Sequence, residues 1–338
     1  MTFITAAQRY DVITVGDVAT DMIIRLPEDR IRHRVDSEGQ WLEIPFGEKL
    51  PIDREVTVAA GGSAANAAVA LARLGLRVGL ASFLAHDHVG IDLLDALHAE
   101  HVDTRLIHID SPAHTNRDFV LSFQGNRTIL VRDEAFNYHW PHLRPSEVPS
   151  WLYLTSLGRE ALEYQDQIAE WLAETPQVKL AFQPGTFQIE AGHDRLSSLY
   201  QRAEILICDK SQAAAIAGTA GEDTSDLVDQ LRKLGPRQVV ISDESGGAVA
   251  TSDAGNYVMP AFPDTSLPFD RTGAADAFAA TLVAGLVSGM SLPEALRWPP
   301  VNFVSVSHEI GSQAGLLTKE QLLDQLDEAD VAFIARGR

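Results

Sequence analysis

The chain has 338 residues, 45% hydrophobic and 22% charged, a size and balance that fit one large α/β domain or two smaller ones with an ample core. Its 27 Lys and Arg against 47 Asp and Glu give a formal net charge of −20, which excludes the broad basic face of a nucleic-acid binder. One cysteine, Cys208, excludes an internal disulfide and zinc-type spacing, and its apolar setting "EILICD" reads as a buried strand position rather than a reactive thiol.

In chain order, "YDVITVGD" (10–17) is an apolar run ending in Gly-Asp, the pattern of a buried strand feeding a loop. "GGSAANAAVALARLG" (61–75) is an Ala-rich helix closed by Gly75, "LRVGLASFLA" (76–85) is a second buried strand, and "GIDLLDALHAEHV" (90–102) is helical. Further strands are expected at 150–156, 178–184, 203–209 and 237–243, with helical segments between most of them. This alternation predicts a doubly wound, mostly parallel sheet with helices on both faces. Residues 20–58 and 115–133 break the rhythm: the first alternates polar and apolar residues, and the second reads as a hairpin turning at Gly125-Asn126. Both are expected to pair as a small sheet projecting from one domain spanning 1–338. Residues 273–292 read as a buried helix rather than a membrane span, and the N-terminus lacks a signal-peptide pattern, so the cytoplasm is the expected location.

The phosphate-loop, GxGxxG, GxSxG and HExxH motifs are absent from the sequence. Asp17, Asp209 and Asp243 each follow a predicted strand end, where ligands of open α/β sheets bind. "DRTGAADAF" (270–278) sets Asp276 among small residues at the mouth of an apolar helix. Two readings stand side by side. Asp270 or Thr272 caps the helix and Asp276 complements its dipole. Alternatively, bare backbone N–H groups receive an anion and Asp276 acts as a base.

The segments "GGSAANAAVALARLG" and "DRTGAADAF", with "GDVATD" before them and "VNFVSVSHEIGSQAGL" after, resemble the signatures of the ribokinase-like (PfkB) carbohydrate and nucleoside kinases over nearly the full length. The resemblance implies one doubly wound domain with a β-sheet lid, and transfer of the ATP γ-phosphate to a hydroxyl of a sugar, nucleoside or similar polyol. It implies Asp276 as the base and the N–H groups of Gly273, Ala274 and Ala275 as the anion hole. Asp21, Gly61, Gly62 and Asn66 would hold substrate hydroxyls, with Asp17 nearby and Arg127 reaching from the lid. Asp209, Ser242, Glu244 and Gly247 match the nucleotide side, Asn302 matches the position packed on the base, and Asp209 with Gln212 matches the magnesium side. Asp270, on the substrate side, and residues 311–315 match the site of an optional potassium ion.

The sequence departs from the family pattern in four places. Ala275 stands where Gly usually precedes the base, tolerable if that residue is helical and harmful if it needs positive φ. "DKSQ" places the carboxylate at Asp209 and the amide at Gln212, the reverse of the family's N-x-x-E. Glu244 stands where Gly usually approaches the nucleotide, and "QPGTF" (183–187) replaces D-x-N-x-R. These departures also admit a weak or inactive member that binds a sugar or nucleoside as a sensor. Phe119, Phe123, Phe136, Tyr138 and Trp140 either stack on a nucleoside base or form lid core. An isolated lid would expose an apolar face and an edge, so a homodimer through the lid is expected. No nucleic-acid or membrane partner is expected.

Overall fold

Short apolar strands covered on both faces carry the architecture. In a computed structural model, which describes residues 10–337 apart from 38, 111–112, 125, 220–222, 265, 267 and 330–331, β1 (Val12–Val15) is buried along its whole length. The chain continues through β2 (Ala19–Arg25), β3 (Arg32–Asp36), β4 (Gly39–Glu43), β5 (Arg54–Gly61), α1 (Ser63–Arg73), β6 (Val78–Ala81), β7 (Phe83–Ala85), α2 (His88–Ala99), β8 (His108–Asp110), β9 (Arg117–Phe123) and β10 (Asn126–Arg132). There follow β11 (Trp151–Leu154), α3 (Leu162–Glu174), β12 (Lys179–Phe182), α4 (Thr186–Ala191), α5 (Ser197–Arg202), β13 (Ala203–Asp209), α6 (Lys210–Ala217), α7 (Thr224–Arg232), β14 (Val239–Ser242), β15 (Ala248–Ser252) and β16 (Gly255–Met259). The described chain ends with α8 (Ala274–Val287), α9 (Leu292–Ala295), α10 (Pro299–Ser307), α11 (Lys319–Glu328) and β17 (Arg336–Gly337).

The main sheet has nine strands in the order β17-β16-β15-β14-β13-β12-β11-β1-β6. It is parallel from β6 to β14 and antiparallel beyond. Successive side chains point to opposite faces, and each face has its own core. Val12, Trp151 and Tyr153 join α1, α8 and α10 on one side. Ile13, Val15, Leu152 and Leu154 join α3, α5, α6 and α7 on the other. Burying each such Leu or Ile is worth roughly 1.5–3 kcal/mol, which makes these two layers the main support of the site.

The small sheet has the order β10-β9-β2-β5, so the two predicted lid segments do pair. Its register puts Asp21, Asp118 and Val131 on one face, together with Ile23, Arg25, Ser122 and Arg127. Residues 32–43 differ from expectation: β3 and β4 pair only with each other. Leu42 packs with Ile24, Leu121 and Phe123, which lie on the opposite face from Asp21.

Two strand boundaries also differ. Residues 76–85 form two strands in different sheets, because Ser82 turns aside: its Oγ donates to the Gly16 carbonyl at 2.7 Å, and its own carbonyl accepts from His108 N–H at 2.8 Å. Asn126 pairs with Phe123 and so belongs to β10, not to the turn. Gln124 takes φ +49° there; Gly125 lies outside the described residues. The long apolar stretch forms α8, buried nearly all round, and no described helix is long and apolar enough to cross a membrane.

Candidate active site at the carboxyl ends of the sheet

After β1 the chain crosses to β6 on one side, and after β11 it crosses to β12 on the other. A crevice opens where such connections diverge, and Asp17 sits in it. Gly158 N–H donates to its Oδ2 at 2.5 Å and the Tyr138 hydroxyl donates to its Oδ1 at 2.9 Å. Burial outweighs both bonds and pushes its carboxyl up to about 7.

Asp21 is 5% exposed. Burial, then the charges of Asp118 and Asp276, push it up to about 7, and no described donor reaches its carboxylate. Gly61 is needed beside it, because a Cβ at that position would overlap the Asp21 carboxylate. Gly62 follows as the N-cap of α1. That start aims the helix across the crevice, and Asn66 Nδ2 donates to Asp276 Oδ2 at 2.9 Å.

Asp276 is 8% exposed and occupies the third position of α8. Gln183, just past β12, donates to its Oδ1 from Nε2 at 3.3 Å. Both amides are held in register by further donors. Gln313 Nε2 donates to Asn66 Oδ1 at 3.0 Å, and the Tyr153 hydroxyl donates to Gln183 Oε1. Burial raises the Asp276 carboxyl above the usual range, opposed by bonds from Asn66, Ser63 and Gln183 and by the charge of Arg127.

The capping reading of "DRTGAADAF" is corrected in its details. Gly273 is the N-cap of α8, at φ 78°, with no side-chain cap. A Cβ at that position would also meet Ser312 Cα at 2.6 Å, so glycine is required for both φ and space. Asp270 instead ties loops together: Oδ1 accepts from Thr272 N–H and Oγ1 at 3.0 and 2.7 Å, and Oδ2 accepts from Gly311 N–H at 3.2 Å. Ala274 N–H turns to the Arg271 carbonyl at 3.2 Å. Among the described residues the N–H groups of Gly273, Ala275 and Asp276 have no acceptor. Ala275 is helical and exposed, so its methyl group costs no strain.

A cavity of about 790 Å³ runs from this helix start along the ends of β13 and β14. Ala274, Ala275, Asp209, Ser242, Glu244 and Arg127 line it, as do Lys210, Arg271 and Phe303, to which the sequence reading gave no role. Arg271 lay within the quoted segment and was legible; Lys210 and Phe303 had only their neighbours to mark them. Glu244 is exposed and pairs with Arg271 at 3.7 Å. Asp243 shapes the loop below, accepting from Ser245 N–H and Gly247 N–H at 2.8 and 3.0 Å. Asp209 caps α6, its Oδ1 accepting from Gln212 N–H at 2.8 Å and Ser211 Oγ at 2.6 Å, while Gln212 Oε1 accepts from Asp209 N–H at 2.9 Å. Gln212 is thus committed to the cap, and one Asp209 oxygen remains. Asn302 does not face the cavity. It is fully buried, donating to Thr281 Oγ1 at 2.8 Å and accepting from Leu317 N–H at 3.0 Å, and the neighbouring Phe303 takes the cavity wall. Of the aromatic residues, Phe136 is buried in the core and Tyr138 and Trp140 pack against it beside Tyr164. Phe123 is lid core.

The doubly wound sheet, the small lid sheet and the acid at a helix mouth define a ribokinase-like protein. A family model described as pfkB family carbohydrate kinase matches residues 31–299, and the chain belongs to that family. It is 24% identical to the ribokinase of Haemophilus influenzae, covering 85% of this chain and 95% of the relative. It is 26% identical to the 5-dehydro-2-deoxygluconokinase of Bacillus subtilis, covering 84% and 90%. The solved ribokinase of Arabidopsis thaliana, complexed with ribose and ATP, superposes with a TM-score of 0.75 at 18% identity, over 94% of this chain and 99% of that one.

Proposed function

We propose that the protein, as one catalytic domain, transfers the γ-phosphate of ATP to a hydroxyl of a small sugar or nucleoside, with Asp276 as general base. One observation carries the reading: an amide-held carboxylate stands beside backbone N–H groups that lack acceptors at the start of α8. In the proposed step the acceptor O–H gives its proton to Asp276, and the oxygen bonds to the γ-phosphorus as the bond to the ADP oxygen breaks. The N–H groups at Gly273, Ala275 and Asp276 supply fixed positive potential to the transferring group without reorganising. Asp21, Gly61, Gly62 and Asn66 form the acceptor side, with Asp17 behind them.

Arg127, Lys210 and Arg271 share the long cavity with Asp209, Asp243 and Glu244, a mixed lining in which a triphosphate and its magnesium would lie beside Ser242, Glu244 and Gly247. Magnesium neutralises phosphate charge when bound and is commonly held through one or two carboxylates and water. The free oxygen of Asp209 fits that role, and Gln212 supports it through the cap. Potassium stays optional in this reading: the Asp270 oxygens accept three protein donors and keep a lone pair for a cation. Two departures that favoured a binding-only sensor lose their force: Ala275 is helical and Glu244 is paired and exposed.

The named relatives act on a neutral sugar in one case and a sugar acid in the other, so family membership leaves the acceptor open. The decisive experiment is ADP release over a panel of ribose, fructose and adenosine, repeated with Asp276→Asn. The variant should lose about 10²–10⁴-fold in kcat with binding retained. A stable variant with near-normal kcat overturns the assignment.

A further inference from the structure

Carboxylates outnumber every other charged group around the acceptor side. Asp276 and Asp21 interact electrostatically, as do Asp21 and Asp118, Asp118 and Asp133, and Asp133 and Asp17. Asp21 is 95% buried by its 5% exposure and has no described donor. Asp118 Oδ1 is buried without a partner. Among the described residues, Arg127 is the cation named as acting on these carboxylates, and it acts on Asp276 at the phosphoryl end. Arg25 and its pair Arg54 share the lid face four residues along β2 from Asp21, and line a cavity with Ile23, Phe269 and Asp270. Between lies the 311 backbone: a Cβ on Gly311 would sit 3.0 Å from Val58 Cγ2 and 3.6 Å from Ile23 Cδ1.

We propose that the acceptor is an uncharged or amine-bearing polyol, and that this pocket rejects acceptors carrying a carboxylate or phosphate of their own. The inference rests on the proposed kinase reading and adds the acceptor's chemical class. A buried carboxylate with no protein donor must take its hydrogen bonds from the ligand, and hydroxyl or ammonium groups are donors. At pH 8, above the values near 7 and 6 to which burial pushes Asp21 and Asp118, a second anion placed there would face two ionised carboxylates in a low-dielectric setting, and the measurements are made at that pH.

The test uses matched sets: glucose, glucosamine and glucuronate; fructose and fructose 6-phosphate; ribose and ribose 5-phosphate; adenosine and its 5′-monophosphate. Binding is measured by calorimetry on the full chain without nucleotide, and turnover separately by ADP release. The neutral member of the best set should bind at least about tenfold tighter than its anionic counterpart, and Asp118→Asn should narrow that gap several-fold. Glucosamine should bind tighter than glucose. An anionic member that binds as well as its neutral partner overturns the proposal, as does binding by no member of any set. Selective binding of neutral members without ADP release sustains this inference and sinks the kinase reading. Turnover of a preferred anionic acceptor does the reverse.

Discussion

Gln183 Nε2 lies 3.3 Å from Asp276 Oδ1, and the amide is turned that way because its own oxygen accepts from the Tyr153 hydroxyl and from Thr155 Oγ1, the latter at 3.4 Å. A flipped amide would set an oxygen against the carboxylate. Tyr153 therefore acts on Asp276 through Gln183, as a positioning residue. Tyr153→Phe and Gln183→Ala should each lower kcat by about tenfold and move the acid limb of the kcat–pH profile upward, since a lost donor lets burial raise the Asp276 carboxyl further. A melting curve that falls while the acid limb stays in place would assign both residues to packing alone.

Asp209 combines a cap with a free oxygen. Asp209→Asn keeps an acceptor at the N-cap, so stability should change by less than about 1 kcal/mol, while the magnesium concentration needed for half-maximal activity rises. Adding Gln212→Glu should restore much of the activity. An unaltered magnesium response in the single variant removes Asp209 from the metal side.

Asp21 gives a stability signal whose sign is fixed. Its folded carboxyl is raised to about 7 from the ordinary 3.8, chiefly by burial and then by Asp118 and Asp276. The contribution of this group to stability is fully present below about 4 and is lost as pH rises through about 7. Asn at this position stays neutral throughout. The melting-temperature difference between Asp21→Asn and wild type should therefore be small at pH 4 and grow by several degrees in favour of the variant by pH 8. A difference independent of pH would show that Asp21 is not titrating in the folded state.

The lid is proposed as the homodimer surface. β10 is exposed along its length, and Ile129, Leu130 and Val131 are 41%, 55% and 55% exposed on an unpaired edge. Light scattering at micromolar concentration should give twice the chain mass, and Leu130→Lys should shift it toward the monomer. A monomeric wild type would refute the lid dimer.

The strands and helices were legible because their signals are local. Apolar runs such as 12–15 and 203–209, and the helix-closing Gly75, carry their structure in a few adjacent residues, whereas the cap of α8 fell on Gly273 and not on Asp270 or Thr272. The acid at the α8 start, the two glycines at 61–62 and the lid segments were marked the same way. Contacts across long separations were not. Ser82 splits an apolar run in two by bonding Gly16, Asn302 turns inward to Thr281 and Leu317, and Asp276 owes its held geometry to residues 93 and 210 positions away. The sequence by itself determined which residues could supply a base, an anion-binding helix start and a parallel sheet. Only the tertiary structure decided which amides hold the base and that five carboxylates share one region, because side-chain direction and burial are set by the packing of elements far apart in the chain.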